Sequence, residues 1–281
     1  MGDSLEAAIV SFTTGLLFVS VIALFRKDVR SGFRQIFSAV NLKLLPSWRL
    51  GAGALGASFV AMQTYAVPIA GVALFTVASL AGQTGISLWV DHVGLAGGSR
   101  VIITKRRVIA AIITILAVVV STWDRFTISN FSLLTIVLAV FSGTWVGVQR
   151  ALNGQINSYS KASFATSLLN FITGTTFLLF LLLLRTLFTD HSVMNFTSGP
   201  WWMFLGGSIG VIYIALSAHI VQYVGVLEFT LFSVGGMLVG SLLIDIIVPT
   251  KGTIISGFLI AGILLTYLGV IANGQSRFSR K

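Results

Sequence analysis

Charge is scarce in this chain. Only 9% of its 281 residues are Asp, Glu, Lys or Arg, where a soluble domain carries about a quarter. Acids are scarcer still, eight against eighteen Lys and Arg. Cysteine is absent, which excludes disulfides and thiolate metal sites. The three histidines, His92, His191 and His219, show no metal-ligand spacing. No Gly-Lys-Ser or Gly-Lys-Thr occurs, so this chain carries no phosphate-binding loop for ATP. No Ser/His/Asp constellation has local support. Neither a metal nor a cofactor is expected, and the scattered polar groups argue against an enzyme.

What is present is apolar sequence in long blocks, with a mean hydropathy of +0.96. Runs such as Leu178–Leu184 and Ile109–Val120 lack the alternation of a barrel strand. In lipid the backbone must satisfy its own hydrogen bonds, so helices are the remaining solution. The pattern predicts an all-α polytopic membrane bundle of nine helices: 5–25, 50–69, 71–91, 107–123, 131–152, 163–187, 201–222, 226–248 and 254–273. Segment 26–49 reads as a basic loop with Phe33, Ile36, Phe37 and Leu42 interleaved, suited to lying on anionic lipid. No separate soluble domain is expected.

The net charge of +10 would suit nucleic acid, but its distribution suits a membrane better. Fifteen of the eighteen basic residues fall in one alternating set of connections, from Arg26–Arg49 through Arg100–Arg107, Arg150 and Lys161 to Arg277–Lys281. Only Arg125, Arg185 and Lys251 fall in the other set. The positive-inside rule then places the first set, and the C-terminus, in the cytoplasm.

The chain also repeats itself. Residues 46–91 return as 200–245 without a gap, 154 positions on, with fifteen identities that include Gly53/Gly207, Gly71/Gly225, Ser79/Ser233, Gly82/Gly236 and Asp91/Asp245. Further upstream, Ser11-Phe12-Thr13-Thr14-Gly15 matches Asn170-Phe171-Ile172-Thr173-Gly174. Such repeats are read first because they set the architecture. The segment before Pro46 is basic, and its counterpart before Pro200 has Asp190 and His191. The two halves therefore point opposite ways, as inverted repeats do. We divide the chain into a first repeat, 1–125, of four helices and a second, 126–281, of five. Met1 aligns with the loop that follows the second repeat's first helix. The expected ancestral form is five plus five, with the first helix missing here.

Several stretches resemble the YdcZ-type branch of the drug/metabolite transporter superfamily. Gly143-Thr144-Trp145-Val146-Gly147-Val148-Gln149-Arg150-Ala151-Leu152-Asn153-Gly154 looks like that family's first helix. Ser4–Phe12 resembles its second, Gly199–Gly210 its third, and Gly235–Asp245 its fourth. The resemblance implies two inverted five-helix repeats around a central cavity, and export of small molecules. The chain departs from the pattern in lacking the first helix, in Arg150 where a small residue is usual, and in Glu228 where an apolar one is usual.

Ionisable residues inside a span are costly and mark functional candidates. Glu228, one turn into its helix, and Arg150, at the cytoplasmic end of the fifth, share a depth. They either pair and line an inner vestibule, with Glu228 carrying a coupling proton, or Arg150 snorkels and Glu228 is hydrated at a helix start. Asp91 and Asp245 are repeat equivalents, read either as matched gates or as hydrated helix ends. Ser142, Trp145, Gln149, Asn153 and Ile156 fall on one helical face that should point into the bundle, for substrate contact or for interhelical hydrogen bonds. Gln83, Asn170, Tyr65 and His219 complete the substrate-pathway set. The function expected is secondary transport, exporting small organic metabolites or drugs by alternating access and coupled to protons. The rival is a membrane-embedded interaction or lipid-handling protein with no transport cycle. The expected partners are a small-molecule substrate and the bilayer, with a second copy of the chain as a further candidate and nucleic acid excluded.

Overall fold

A computed structural model of the chain describes residues 4–70, 72–97, 100–121, 123, 133–188, 204–247 and 257–273. These form ten α-helices and, among the described residues, no strand. They are α1 (Ser4–Phe25), α2 (Lys27–Asn41), α3 (Ala52–Ala70, led by a 3-10 turn over Ser47–Gly51), α4 (Val72–Val93), α5 (Lys105–Ser121), α6 (Leu133–Ser160), α7 (Ser163–Phe188), α8 (Leu205–Val224), α9 (Val226–Ile247) and α10 (Gly257–Asn273). Among the described residues, five stretches are long and apolar enough to cross a bilayer: Ser4–Phe25, Ser47–Ile69, Leu133–Ser160, Ser163–Phe188 and Leu205–Val224. The protein is an all-α membrane bundle.

Two expectations need correction. The basic segment 26–49 is not only a loop, because α2 occupies much of it. Its buried residues Val29, Gly32, Ile36 and Ala39 recur every three or four positions, which gives a helix one apolar face. That face packs on Ala162 and Ala165 at the start of α7 and on Leu152 and Ile156 of α6. Its charges point outward, and the exposed Arg26 holds the Asp28 carboxyl below its ordinary range by a hydrogen bond. The fifth span also does not stop at residue 152. Asn153-Gly154 reads as a turn in sequence, but α6 runs straight through it to Ser160 and ends where Lys161 turns to φ 52. Tertiary contacts hold the helix there: Asn153 is hydrogen-bonded, and a Cβ on Gly154 would meet the Ala96 carbonyl at 3.2 Å.

The chain forms two compact units. One comprises Met1–Tyr65, Leu95–Ser99 and Val148–Tyr223, the other Ala66–Gly94, Arg100–Gly147 and Val224–Lys281. These spatial units differ from the sequence repeats, since each draws helices from both. The repeat is visible in the element bounds: α4, moved by 154, coincides with α9 end to end, and α5 and α10 are 17 residues each. Three pairs of equivalent helices, each pair within one unit, pack on one another and run antiparallel. In the first, α1 lies on α7: Phe12 and Phe171 have ring centroids 5.1 Å apart, Gly15 lies under Phe171, and Gly174 lies under Phe12. Both phenylalanines and both glycines are repeat equivalents, so each half supplies a ring to the other half's gap. In the second, α5 lies on α10, with Gly262 against Ala117 and Ser121, and Gly269 against Ala110 and Thr114. Seven residues forward on α10 is seven back on α5. α4 and α9 behave alike, through Ser87 with Thr230 and Asp91 with Val226.

Glycines set these distances, because small residues let helix backbones meet in lipid. A Cβ on Gly53 would strike the Asn170 carbonyl of α7, and one on Gly207 would strike the Ser11 carbonyl of α1. These two contacts are again repeat equivalents. In α4, Gly82 lies against the Val140 carbonyl of α6, whereas among the described residues nothing comes within 4 Å of a Cβ built on Gly85. Gly82→Ala should therefore cost about 1–3 kcal/mol through overpacking. Gly85→Ala should be neutral or stabilise by up to about 1 kcal/mol through helix propensity. Thermal unfolding of both variants in detergent separates them; equal midpoints would contradict the packing described.

Candidate functional site

Two buried polar clusters stand out, one in each unit. In the first unit, the polar face of α6 meets α7. Gln149, Asn153 and Asn170 are 7%, 2% and 1% exposed. Gln149 Nε2 donates to Asn170 Oδ1 at 3.2 Å, and Asn170 Nδ2 donates to Asn153 Oδ1 at 3.0 Å. One turn on, Thr166 Oγ1 donates to Asn157 Oδ1 at 3.2 Å, and the Ser160 and Thr166 hydroxyls lie 3.2 Å apart. Polar groups in an apolar interior must be paired, and a chain of neutral amides and hydroxyls achieves this without charge. Gly56 of α3 lets the Gln149 amide approach its backbone. Spacing brought Gln149 and Asn153 forward as candidates, Asn170 stood beside them as a polar residue within a span, and the structure joins all three in one network.

Arg150 sits beside this network, 6% exposed and ten residues before the end of α6. It is thus well inside its helix rather than at the end. Its Nη2 donates to the Tyr213 hydroxyl of α8 at 2.7 Å, and its guanidinium lies 5.9 Å from that ring's centroid. Tyr213 was not legible as a partner, since a tyrosine 63 positions away carries no local signal. Nearby, Arg49 donates to Gln155 Oε1, an ion-to-amide contact that sequence also did not suggest.

The second cluster centres on Asp91, in the last turn of α4 and 3% exposed. Arg107 Nη2, in the first turn of α5 and also buried, donates to Asp91 Oδ2 at 2.5 Å. The backbone N–H groups of Val226 and Leu227 donate to Oδ1 and Oδ2 at 2.7 and 3.1 Å. Asp91 thereby satisfies two of the donors that the start of α9 leaves unpaired, where the helix dipole also favours an anion. Gly225 makes the approach feasible. Its φ of +93 belongs to glycine, and a Cβ there would sit 3.0 Å from the carboxylate. One turn deeper the Ser87 and Thr230 hydroxyls lie 3.2 Å apart. Asp91 is therefore buried and fully engaged rather than hydrated. Arg107 read as one of a run of loop cations, Lys105-Arg106-Arg107, and only the fold separates it from its neighbours.

The remaining candidates are dispersed. Gln83 is 4% exposed, and its Oε1 has no hydrogen-bond partner among the described residues. Trp145 is half-buried and meets Phe141 edge-on at 5.1 Å. Tyr65 is 51% exposed, and His219 is exposed with Tyr223 edge-on at 5.4 Å. Glu228 is half-buried in the first turn of α9. Asp245 belongs to the last turn of α9, and its side chain lies outside the described residues. When α5 and α10 are aligned end to end, Leu259 holds the place of Arg107, so the arginine is not duplicated with the aspartate.

Removing one member of a buried ion pair leaves the other charge uncompensated, at about 3–5 kcal/mol. Asp91→Asn and Arg107→Met should each destabilise by that order. Asp91→Asn with Arg107→Met should cost clearly less than the two combined. A double-mutant cycle on detergent melting midpoints measures the coupling, and strict additivity would show that the pair is not energetically joined.

No curated protein matches the chain. A solved crystal structure, described only as that of a protein, superposes with a TM-score of 0.65 at 17% identity, covering 98% of this chain and 88% of that one. This likeness establishes the fold. The family described as "Putative inner membrane exporter, YdcZ" matches residues 1–120 and 134–272. With nearly the whole helical bundle matched, the chain belongs to the YdcZ family of inner-membrane exporters.

Proposed function

We propose that the protein exports small organic molecules by alternating access, with proton entry as the driving step. The observation that carries this reading is the antiparallel packing of repeat-equivalent helices, α1 on α7, α4 on α9 and α5 on α10, in a chain of an exporter family. An inverted duplication gives one sequence two related conformations, in which the roles of the halves exchange. The substrate pathway is assigned to Trp145, Gln149, Asn153 and Asn170, with Arg150, Gln83, Tyr65 and His219. Neutral amides suit polar, uncharged or weakly charged solutes. Asp91 and Asp245 act as gates at helix ends, and Glu228 acts as the proton carrier. A carboxylate that takes up and releases a proton needs a state-dependent environment, since a nearby cation lowers its pKa and desolvation raises it. The orientation follows the basic residues, with the C-terminus in the cytoplasm.

Everted inner-membrane vesicles test this reading with labelled amino acids, sugars and organic cations. At least one should accumulate in the vesicles, and a protonophore should abolish the accumulation. Glu228→Gln should reduce the rate by an order of magnitude or more and flatten its pH dependence. Normal rates with an unchanged pH profile in Glu228→Gln would refute the assigned coupling, and accumulation that ignores the protonophore would refute proton drive.

A further inference from the structure

The outward face of α2 has no part in the transport cycle proposed above. The inward face is taken up by the protein itself: Val29, Gly32, Ile36 and Ala39 are buried, and a Cβ on Gly32 would meet the Ser160 carbonyl at 2.7 Å. The opposite face carries Lys27, Arg30, Arg34, Phe37 and Asn41, spaced 3, 4, 3 and 4, and all five are exposed. Charge around this face is of one sign. Asp28 is the one acid in segment 26–49, and Arg26 already pairs with it at 2.6 Å. Arg30 donates to the Ala23 and Leu24 carbonyls and so closes the end of α1. Lys27 and Arg34 hold no side-chain partner among the described residues. Lys161, next to the Ala162 that packs on Val29, adds a further exposed cation. Phe37 is 42% exposed and braced on Phe33, with ring centroids 5.1 Å apart.

The depth of α2 follows from its attachments. α1 has 22 residues, about 33 Å of helix, against a hydrocarbon core of about 30 Å. Only Arg26 separates α1 from α2, and the next apolar stretch starts at Ser47, soon after α2 ends. Both ends of α2 are therefore held where a span leaves the hydrocarbon. Phe25, Leu42, Leu44 and Trp48, all more than half exposed, flank it there, and tryptophan favours this depth. We propose that the outward face of α2 binds anionic phospholipid headgroups of the bilayer that its flanking spans cross, with Lys27 and Arg34 on the phosphates and Phe37 at the acyl boundary. Two features together select this occupant. A nucleic acid or an acidic protein would match the cations but leave the flanking apolar side chains bare. A neutral lipid surface would cover those side chains but offer nothing to the cations. An interfacial helix ordinarily inserts its own apolar face. In α2 that face is taken by α6 and α7, so the helix reads headgroup charge rather than anchoring by insertion.

The chain has no cysteine, so a single cysteine labels cleanly. Ser31 is exposed and lies one helical turn from both Lys27 and Arg34. The full chain carrying Ser31→Cys, labelled with nitrobenzoxadiazole, is reconstituted in phosphatidylcholine vesicles with a minority of phosphatidylglycerol. The same amount of lipid with a nitroxide high on one acyl chain is supplied either as phosphatidylglycerol or as phosphatidylcholine. Quenching by the anionic lipid should exceed quenching by the neutral one about two-fold or more, and high salt should shrink the difference. Lys27→Gln with Arg34→Gln should make the two lipids equivalent while keeping the parental melting midpoint, which separates a lost site from a misfolded chain. Arg185→Gln, in the last turn of α7, should leave the preference intact. Equal quenching by both lipids in the parental chain would overturn the proposal. Quenching by neither would place the face in water, open to a soluble acidic partner, and would overturn it as well. A preference that survives Lys27→Gln with Arg34→Gln would overturn the assignment to these two side chains. None of these readouts depends on transport.

Discussion

Backbone-to-backbone approach, made feasible by glycine, is the constraint on which the rest of this bundle depends. Between helices in lipid, apolar burial offers no gain over contact with acyl chains, so cohesion comes from close packing and hydrogen bonds. Gly53 of α3 against α7, Gly207 of α8 against α1, Gly82 and Gly143 between α4 and α6, and Gly262 of α10 against α5 each put a helix against a neighbour's backbone. The polar clusters presuppose these distances. Gln149 reaches Asn170 only because Gly56 leaves room for its amide, and Asp91 reaches the start of α9 only because Gly225 carries no side chain.

The two clusters solve burial in opposite ways. Between α6 and α7 the groups are neutral, each amide uses a neighbour's, and the desolvation cost stays modest. At Asp91 a full charge is buried, held by one guanidinium and two backbone donors. Such an arrangement is costly to make, and removing one partner is more costly still, so this one contact ties three helices together in the state described. Glu228, in the first turn of α9, is half-buried.

Much of the fold was legible because the sequence states it twice. The constant offset of 154 anticipated that α3 and α8, and α4 and α9, would match almost residue for residue, and hydropathy placed the spans. The polar face of α6 was legible from spacing alone. Three things were not. α2 carries so much charge that a hydropathy reading passes over it, although its apolar residues keep helical spacing. Asn153-Gly154 carries a turn signal that buried hydrogen bonding overrides. The partners of Asp91 and Arg150 lie on other helices, and no local pattern announces Arg107 or Tyr213.

The exchange of rings between α1 and α7 has a consequence for how such a protein changes over time. Phe12 fills the space over Gly174, and Phe171 fills the space over Gly15. A duplicated gene is free to let its copies drift apart, but here the two copies are locked together at one point. Any enlargement at either glycine must be met by a reduction at a phenylalanine encoded in the other half. The two halves therefore inherit a shared history at this contact, and their likeness there is maintained by steric exchange as well as by descent.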